Sequence, residues 1–330
     1  MRIATFNLEN LDDAADSGPA LDERIRILRP QLERLDADVL CLQEVNAQRD
    51  GPKGTPRTLR ALDRLLSGTA YAAFERAFSQ LADGRGPLDV QNLVILSRYP
   101  IAWSRQIWHT LVPPPGHAPV TAVPTGAGDA VVRWDRPALH AAVRLDDGRL
   151  LHVFNLHLRA PLAAFVPGQK EGPFVWKTVQ GWAEGFFIAA MKRSGQALEV
   201  RLAIDGLFDE DGDAFIALCG DMNAELREMP LRILRGEEED TANGALAGRV
   251  MIPLERAAPE SRRYSVLHGG LPSMLDHVLV SRALLRYFRT VEIHNEALED
   301  ELVGYAAVRK SPESYHAPVV AEFDLRGLIR

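Results

Sequence analysis

Cysteine is scarce in this sequence: the chain has two among 330 residues, Cys41 and Cys219, and each lies in an apolar run typical of a buried strand. A disulfide framework and a zinc site built on thiolates are therefore excluded, and a reducing compartment is favoured. An excess of positive charge is also missing, because the formal net charge is −7. A surface that binds nucleic acid would have to be a local one.

Long hydrophobic runs are missing too, since none reaches the ~20 residues that a membrane-spanning helix needs. Met1 leads directly into a predicted strand, which leaves no room for a signal peptide. We therefore expect a cytoplasmic protein without a transmembrane segment, and the sequence indicates no obligatory protein partner. Repeats, low-complexity linkers and breaks in composition are absent. Residues 1–330 are predicted to form a single domain, whose 46% hydrophobic content suits a large core.

Short apolar runs alternate with helical patterns along the chain. Helices are predicted over residues 21–35, where Pro30 should kink or split the helix, and over about 58–66 and 175–208. Strands are predicted at residues 2–6, 38–42, 71–74, 91–97, 101–107, 137–145, 149–157, 214–219, 274–280 and 318–325. Strands 91–97 and 101–107 are predicted to meet in a hairpin, and residues 112–135 to form a long surface loop. The many strands favour a two-sheet core with helices outside.

Polar side chains recur where the predicted buried strands end. The most informative segment is Gly220-Asp221-Met222-Asn223-Ala224, where a sharp turn follows an apolar strand and two polar residues emerge two apart. Each such residue alone is an ordinary turn former, and Arg98 and Arg136 are interpreted as surface ion pairs. Together the strand-end residues predict one site, formed by Asn7, Glu44, Asn92, Asn155, His157, Asp221, Asn223, Asp276 and His316.

The chemistry of this set suits a hard divalent cation. Oxygen ligands dominate and no thiolate pair is available, so Mg²⁺ or Mn²⁺ fits better than zinc. Glu44 could hold the ion beside a phosphate while Asp221 takes a proton from an attacking water. Asn223 could orient that carboxylate, and His316, if paired with Asp276, could stay protonated and stabilise charge on the phosphoryl group. The set therefore predicts in-line attack on a phosphoester.

Seven short segments carry a resemblance that extends over nearly the whole chain. They are Thr5-Phe6-Asn7, Leu42-Gln43-Glu44-Val45, Ile95-Leu96-Ser97-Arg98-Tyr99-Pro100, Phe154-Asn155-Leu156-His157-Leu158, Cys219-Gly220-Asp221-Met222-Asn223-Ala224, Leu275-Asp276-His277-Val278-Leu279 and Ser314-Tyr315-His316-Ala317-Pro318. In this order they are similar to the motifs of the endonuclease/exonuclease/phosphatase superfamily, which includes pancreatic-type deoxyribonuclease, abasic-site endonucleases, sphingomyelinases and inositol-polyphosphate phosphatases. The resemblance implies an α/β fold, a four-layered sandwich of two mixed β-sheets packed face to face with helices outside.

The resemblance also implies roles for the matched residues. The catalytic set would comprise His157, Asp221, Asn223, Asp276 and His316. Within it, Asp221 would act as the base or orient the water, and Asp276 would orient the essential His316. Contacts to the phosphate would be completed by Asn155 and Asn92.

For the metal, the resemblance implies Mg²⁺ bound chiefly by Glu44 with help from Asn7, and Glu9 is a weaker candidate ligand. One departure concerns the last motif, which in the family usually has Asp where this chain has Tyr315. A neutral tyrosine is a poor Mg²⁺ ligand at pH 7. Whether one metal ion binds or two is therefore left open.

The preferred function is a Mg²⁺-dependent phosphodiesterase, and specifically a nuclease. The alternatives are a phosphatase or phosphodiesterase acting on a phospholipid headgroup or small phosphorylated metabolite, and a catalytically weak phosphate-binding module. A local basic surface could be supplied by Lys170, Lys177, Lys192 and Arg193. Trp176 and Trp182 in the same segment could stack on bases, but the preferred interpretation is that both are core residues of an amphipathic helix.

Overall fold

The structure is a computed structural model that describes residues 1–13, 19–52, 54–306 and 311–326. Within these ranges two six-stranded β-sheets, each with parallel and antiparallel pairs, pack face to face. Helices cover the outer face of each sheet. The predicted four-layered α/β sandwich is therefore confirmed.

The strands are short and follow one another closely. In chain order they are β1 (Arg2–Leu11), β2 (Val39–Val45), β3 (Glu75–Phe78), β4 (Asn92–Ser97), β5 (Ile101–Ile107), β6 (Ala138–Arg144), β7 (Leu150–His157), β8 (Phe215–Asp221), β9 (Ile252–Pro253), β10 (Val266–His268), β11 (Leu271–Ser273), β12 (Asp276–Val280), β13 (Phe288–Ile293) and β14 (Val319–Phe323). The first sheet has the order β13-β14-β1-β2-β4-β3 and the second β5-β6-β7-β8-β12-β9. Strands β10 and β11 form a separate ribbon.

The helices form the two outer layers. They are α1 (Leu21–Leu35), α2 (Arg60–Leu66), α3 (Val179–Glu210), α4 (Met229–Arg235), α5 (Glu238–Thr241), α6 (Arg282–Leu285) and α7 (Glu301–Ala306). Helices α1 and α2 bury their leucines against the first sheet, and α3 and α4 cover the second. Within the described ranges, none of these helices combines the length and apolarity that crossing a bilayer requires.

Both faces of the central strands are buried, which explains their continuous apolar sequences. In β1, Ile3 points into the core between the sheets while Ala4 points into the core beneath α1. Cys41 and Cys219 are free thiols in the inter-sheet core, as their apolar surroundings in the sequence predict. This burial leaves the strand ends as the places where polar groups can collect.

One predicted hairpin is wrong. Residues 92–97 and 101–107 are both strands, but β4 lies in the first sheet and β5 in the second. Both edges of β4 are already paired, with β2 and β3, so β5 has no free edge there and pairs with β6 instead. The segment Arg98-Tyr99-Pro100 is therefore a corner between the sheets, held by a hydrogen bond from Arg98 N to Asp38 O at 2.8 Å.

Two smaller predictions also differ from the structure. Helix α1 is not split at Pro30, because Pro30 faces solvent and its missing N–H removes a hydrogen bond only on the outer side. The strand predicted at residues 71–74 is a 3₁₀ turn, Ala70–Ala73, and β3 begins at Glu75. The Tyr71 hydroxyl donates to Leu32 O (3.0 Å) and accepts from Ala37 N (2.9 Å), which holds this turn against α1.

Candidate active site

Three adjacent strands of the second sheet bring polar side chains to one edge. In the β-ladder His157 of β7 pairs with Asp221 of β8, and Asp221 pairs with Asp276 of β12. Asp276 is fully buried, and Asp221 and His157 are nearly so. Residues at the same register of neighbouring strands point to the same face, so the three side chains form a row that faces the first sheet.

The first sheet contributes Asn7 and Glu44 to the same cluster. Asn7 Nδ2 donates to Glu44 Oε1 at 3.2 Å and to Asp221 Oδ2 at 3.0 Å, which links the two sheets. The strand pairing is interrupted after Asn7 and around Glu44, and Glu44 has a left-handed backbone with φ of 58°. Such irregularities redirect side chains at functional sites, and here they place the Glu44 carboxylate against the second sheet.

His157 lies between the carboxylates and a buried arginine. Its Nε2 is 3.6 Å from Glu44 Oε1 and 3.5 Å from Asp221 Oδ2. On the other side Arg136 Nη1 donates to His157 Nδ1. An arginine is donor-only, so Nδ1 must be the unprotonated nitrogen and Nε2 carries the hydrogen. Burial lowers the pKa of His157 well below its usual value, and the charges of Arg136 and His316 lower it further.

His316 forms a pair with Asp276, as the sequence predicts. The distance from His316 Nδ1 to Asp276 Oδ2 is 2.8 Å, and Asp276 N donates to Ser265 Oγ at 3.0 Å. Burial lowers the pKa of His316, but the charges of Asp276 and Asp221 outweigh it and raise that pKa well above the usual value. His316 is therefore an imidazolium at neutral pH, and its Nε2 lies 4.0 Å from Asp221 Oδ2.

Asp221 is the residue on which the cluster converges. Burial, together with the negative charges of Asp276 and Glu44, raises the pKa of Asp221 to about 7, although His316 and the Asn223 N–H act in the opposite direction. Asn223 N donates to Asp221 Oδ1 at 2.8 Å, and Asn223 Nδ2 lies 3.2 Å from Oδ2. Asn223 therefore orients the Asp221 carboxylate, and both groups lie at the place that the sequence predicts.

The turn that carries Asp221 requires a glycine. Gly220 has φ of 136°, and a Cβ at this position would lie 2.0 Å from Leu156 O on the neighbouring strand. After the turn, Asn223 has φ of 47° and its Nδ2 also donates to Leu158 O at 3.1 Å. The sharp turn noticed in the sequence is thus a tightly packed one, closed by contacts with the end of β7.

Glu9 is placed at the edge of the cluster. Its Oε2 accepts from Tyr315 N at 2.9 Å, and its main-chain N donates to Asn7 Oδ1 at 2.8 Å. Burial raises the pKa of Glu9, with the nearby Glu44 adding to the effect. The side chain of Tyr315 is buried, so the residue that replaces the family's usual aspartate holds Glu9 through its main chain.

Two predicted phosphate contacts lie elsewhere. Asn155 is fully buried between the sheets, where its Nδ2 donates to Leu42 O and Val94 O, both at 2.9 Å. Asn92 is also fully buried, and its Nδ2 donates to Val45 O and Leu88 O at 2.9 Å. The structure does not bring their amide groups into the cluster. These contacts favour a role in fastening the sheets and the loop before β4.

Arg136 belongs to the candidate site although the sequence does not indicate it. It was interpreted as a surface ion pair, but it is buried and contacts His157. By contrast Arg98 is exposed and pairs with Asp38 at 2.6 Å, as interpreted. The pairing of β6 with β7 explains its position. Because Leu139 pairs with Asn155, the residues just before β6 must lie beside His157.

The predicted basic surface is only partly available. Lys192 Nζ is 2.5 Å from Asp135 Oδ1, and Arg193 Nη1 donates to Asn223 O at 2.9 Å. Lys170 lies over the ring of Trp176, which is half-buried. Trp182, in contrast, is 45% exposed on α3 and stacks on Phe186 with ring centroids 5.6 Å apart. The interpretation of both tryptophans as core residues is therefore wrong for Trp182.

The donor set fits a hard divalent cation. Glu44, His157 and Asp221 each offer one ligand atom within 4.8 Å of the others, and so do Asp221, Asp276 and His316. Burial and the nearby carboxylates of Asp276 and Glu44 raise the pKa of Asp221, and a cation bound here would favour its charged form. Asn7 turns its amide nitrogen to the cluster, so its oxygen could act as a ligand only after the amide flips.

Comparison with known proteins identifies the family. A profile of the Endonuclease/Exonuclease/phosphatase family matches residues 4–304. The chain belongs to this family. Membership of the endonuclease/exonuclease/phosphatase family implies hydrolysis of phosphoester bonds. A search of curated proteins finds no match.

Solved structures share the fold at low sequence identity. The 3′-5′ exonuclease NExo from Neisseria meningitidis is 18% identical, with a TM-score of 0.55 and coverage of 98% of this chain and 100% of that one. NExo from Neisseria, described as a 3′ phosphatase and bound to a product DNA hairpin, is 17% identical over 98% and 99% of the chains, with a TM-score of 0.55. An AP endonuclease from Archaeoglobus fulgidus is 17% identical over 98% and 100%, with a TM-score of 0.53.

Proposed function

We propose that this chain is a divalent-metal-dependent phosphodiesterase, and that its substrate is a nucleic acid. The observation that carries the proposal is the convergence of ionisable groups on Asp221. The Nε2 atoms of His157 and His316 lie within 4.0 Å of Asp221 Oδ2. Glu44 Oε1 lies within 4.0 Å of Asn7 Nδ2 and His157 Nε2, which both also contact Asp221. Three of these residues come from one sheet or its flanking loop and two from the other. A purely structural cluster would not need four ionisable groups at a strand edge.

Asp221 is the base in this proposal. A general base works best when its pKa lies near the operating pH, and burial raises the pKa of Asp221 to about 7 when no cation is bound. Asn223 fixes one carboxylate oxygen through its main-chain N–H. The other oxygen accepts from Asn7 and Asn223 and also faces His157 and His316. An attacking water can lie between this oxygen and the phosphoryl group.

The two histidines are the electrophilic groups. His316 is held as an imidazolium by Asp276, and His157 presents Nε2–H because Arg136 occupies Nδ1. Both donors point towards Asp221 Oδ2, so a phosphate bound beside this carboxylate would receive hydrogen bonds from two sides. Donors fixed before the reaction stabilise the developing charge without having to reorganise.

Glu44 would hold the metal ion. The ion, Mg²⁺ or Mn²⁺, would neutralise charge on a phosphoryl oxygen. Glu44 is suited to this role because its side chain is only 12% exposed, and Asn10 N orients its Oε2 from 3.0 Å away. Glu9 is a weaker candidate ligand, since Tyr315 N already binds one of its oxygens.

The nuclease preference rests on the region beside this cluster. Residues 108–135 and 158–193, here called the rim lobe, include the N-terminal half of α3 and reach the catalytic edge where Arg193 contacts Asn223 O. The rim lobe exposes Trp182 and Phe186 as a pair of stacked rings, and base–aromatic stacking is a common means of holding single strands. The NExo and AP endonuclease structures, by their printed descriptions, concern proteins that act on DNA.

A second candidate substrate is a phospholipid headgroup. The same rim lobe exposes Phe174 (89%) and Val179 (80%), and exposed apolar groups of this size beside lysines are typical of surfaces that contact lipid. Lys170 and Lys177 flank Phe174 in the sequence. The two candidates share the reaction at phosphorus and differ in what the rim lobe would contact.

The proposal is tested by substrate hydrolysis with the full chain. The protein is stripped with EDTA, reloaded with Mg²⁺ or Mn²⁺, and assayed on bis-p-nitrophenyl phosphate, plasmid DNA, single-stranded oligonucleotides and phospholipid vesicles. We expect metal-dependent turnover that Asp221→Asn lowers by about 10²–10⁴-fold, while Asp240→Asn on the exposed helix α5 leaves it unchanged. Equal turnover with and without metal, or in Asp221→Asn and wild type, would contradict the proposal.

A further inference from the structure

A fully buried histidine–glutamate pair lies on the opposite side of β12 from the catalytic cluster. His277 follows Asp276, and successive residues of a strand point to opposite faces. The distance from His277 Nδ1 to Glu255 Oε1 is 2.6 Å, and both side chains are 0% exposed. Neither residue contacts the cluster, so the reaction proposed above does not use them directly.

The other nitrogen of His277 binds the turn Asp221-Met222-Asn223-Ala224, here called the catalytic turn. His277 Nε2 is 2.9 Å from Ala224 O, and Ala224 directly follows Asn223. A carbonyl oxygen only accepts, so Nε2 must carry a hydrogen. The hydrogen between His277 Nδ1 and Glu255 can lie on either group without affecting the bond from Nε2 to Ala224 O. In both cases Nε2 keeps its own hydrogen.

Two further hydrogen bonds hold the catalytic turn. Met222 N donates to Leu275 O at 2.8 Å, and Arg193 Nη1 donates to Asn223 O at 2.9 Å. Each residue after Asp221 therefore has its own contact: Met222 with Leu275, just before β12, Asn223 with Arg193 of α3, and Ala224 with His277 of β12. His277 is in turn held by Glu255 of the 3₁₀ turn Leu254–Ala257. Asn223 has a left-handed backbone with φ of 47°, a conformation that asparagine tolerates, and the contacts of its two neighbours keep it there.

The pair is hard to explain as a source of stability. Burying two ionisable groups is costly, and apolar residues of similar volume often replace such pairs without loss. Moreover, Glu255 Oε2 is buried without a hydrogen-bond partner among the described residues. A pair that is incompletely satisfied yet placed against the catalytic turn is better explained by what it holds in position.

We propose that His277 and Glu255 are positioning residues for the proposed hydrolysis: His277 fixes Ala224 O, which holds Asn223 in its left-handed conformation and so aims the Asp221 carboxylate. This inference rests on the proposed function for its effect on turnover. The fixing of the turn itself is a property of the fold that can be measured without any reaction.

Two isosteric substitutions separate positioning from packing. In Glu255→Gln the amide nitrogen can donate to Nδ1, which keeps the hydrogen on Nε2 and the bond to Ala224 O. In Glu255→Leu the side chain has similar volume but can neither donate to nor accept from His277 Nδ1. His277 is then free to carry its hydrogen on Nδ1 and lose the bond to Ala224 O. We therefore expect a 10–100-fold loss of kcat in Glu255→Leu, the usual range for a supporting hydrogen bond, and near wild-type kcat in Glu255→Gln.

The deciding measurements are KM against kcat, and hydrogen exchange of residues 222–229 by mass spectrometry in the full chain. We expect KM for bis-p-nitrophenyl phosphate to stay within about threefold, and exchange of this segment to be at least about tenfold faster in Glu255→Leu but not in Glu255→Gln. If Glu255→Leu fails to fold, Glu255→Asp, which draws the carboxylate back by one carbon, takes its place with the same expectations.

Each outcome has a defined meaning. Equal exchange in all three proteins overturns the inference, and so does a Glu255→Gln variant as slow in turnover as Glu255→Leu. A lower melting temperature with unchanged kcat also overturns it, since that is the result of packing alone. If wild type hydrolyses no phosphodiester, the proposed function fails, and hydrogen exchange still decides whether the pair fixes the turn.

Discussion

The catalytic cluster and the rim lobe lie next to each other but are built in different ways. The cluster, formed by Asn7, Glu44, His157, Asp221, Asp276 and His316, consists of buried and partly buried polar groups at or near strand ends. These groups contact one another across the two sheets. The rim lobe has little regular structure apart from α3, and it exposes large apolar side chains. The first is fixed by β-ladders, whereas the second must be held by other means.

Two glutamates of α3 hold the rim lobe together. Glu199 is fully buried and accepts from His109 N (3.0 Å), Leu111 N (2.9 Å) and Trp134 Nε1 (2.7 Å). About four turns earlier in α3 lies Glu184, which accepts hydrogen bonds from the segment 117–121. The rim lobe loops are thus held by hydrogen bonds from several of their N–H groups to the carboxylates of Glu184 and Glu199, and not by pairing of strands.

This difference separates chemistry from recognition. Changes in the cluster should alter turnover of every phosphodiester, because its groups would contact the phosphorus and its oxygens. Changes in the rim lobe should alter stability locally, or the choice among substrates, while leaving the reaction intact. Each prediction below tests that separation.

The largest effect is expected for His316→Gln. Glutamine keeps the size and polarity of the side chain but cannot carry the positive charge that Asp276 maintains on His316. We expect kcat on bis-p-nitrophenyl phosphate to fall by about 10²–10⁴-fold, and the double variant with Asp221→Asn to be little worse than either single one. His268→Gln, at an exposed histidine of β10, serves as the control. A loss below tenfold would show that His316 does not act on the phosphate.

A smaller loss is expected for Arg136→Met, which keeps much of the apolar volume but removes the donor to His157 Nδ1. His157 can then place its hydrogen on Nδ1 and present an unprotonated Nε2 to the substrate. We expect kcat to fall by about 10–100-fold, with a change of tautomer visible in the ¹⁵N chemical shifts of the His157 ring. The matched control is Arg98→Met, which removes an exposed ion pair. Unchanged ring shifts would refute the tautomer argument even if activity fell.

The way in which Glu184 holds the rim lobe predicts that the stability of this lobe depends on pH. Burial raises the pKa of Glu184, but hydrogen bonds from Thr121, Val120 and His117 outweigh it and lower the pKa from 4.5 to about 2. A lowered pKa gives stability that is present above pH 4.5 and is lost as the pH falls towards 2. Glu184→Gln should therefore be less stable than wild type by about 1–3 kcal/mol at pH 7, with a difference that shrinks below pH 4.5.

This difference is measured by urea unfolding followed by tryptophan fluorescence at several pH values. Glu239→Gln, at an exposed residue of α5, provides the comparison for a loss of charge without lost hydrogen bonds. A difference between wild type and Glu184→Gln that stays constant from pH 7 to pH 3 would mean that Glu184 does not hold the loop as a carboxylate. Turnover of bis-p-nitrophenyl phosphate should change less than twofold, because the hydrogen bonds of the Glu184 carboxylate go to the loop residues His117, Val120 and Thr121 and not to the cluster.

The same contrast explains what could be read from the sequence. Strand ends such as Asp221, Asp276 and His316 were predicted to share one site because buried strands are short apolar runs whose ends meet at one sheet edge. The packing of those ends could not be predicted: Asn155 has the right type and place in the sequence, yet its side chain turns between the sheets. Arg136 was missed for the opposite reason, because its burial depends on a loop that has no periodic pattern.

The rim lobe was the least predictable part, and its contribution is tested by the smallest expected change. Replacing both Trp182 and Phe186 by alanine removes the exposed ring pair 5.6 Å apart on α3 without touching the cluster. We expect kcat/KM for bis-p-nitrophenyl phosphate to stay within about twofold, because this substrate is too small to reach the rings. For a single-stranded oligonucleotide, the loss of one stacked base should lower kcat/KM by about 5–30-fold. Loss on phospholipid vesicles instead would favour the headgroup substrate, and an equal loss on the small diester would show that recognition and chemistry are not separate in this molecule.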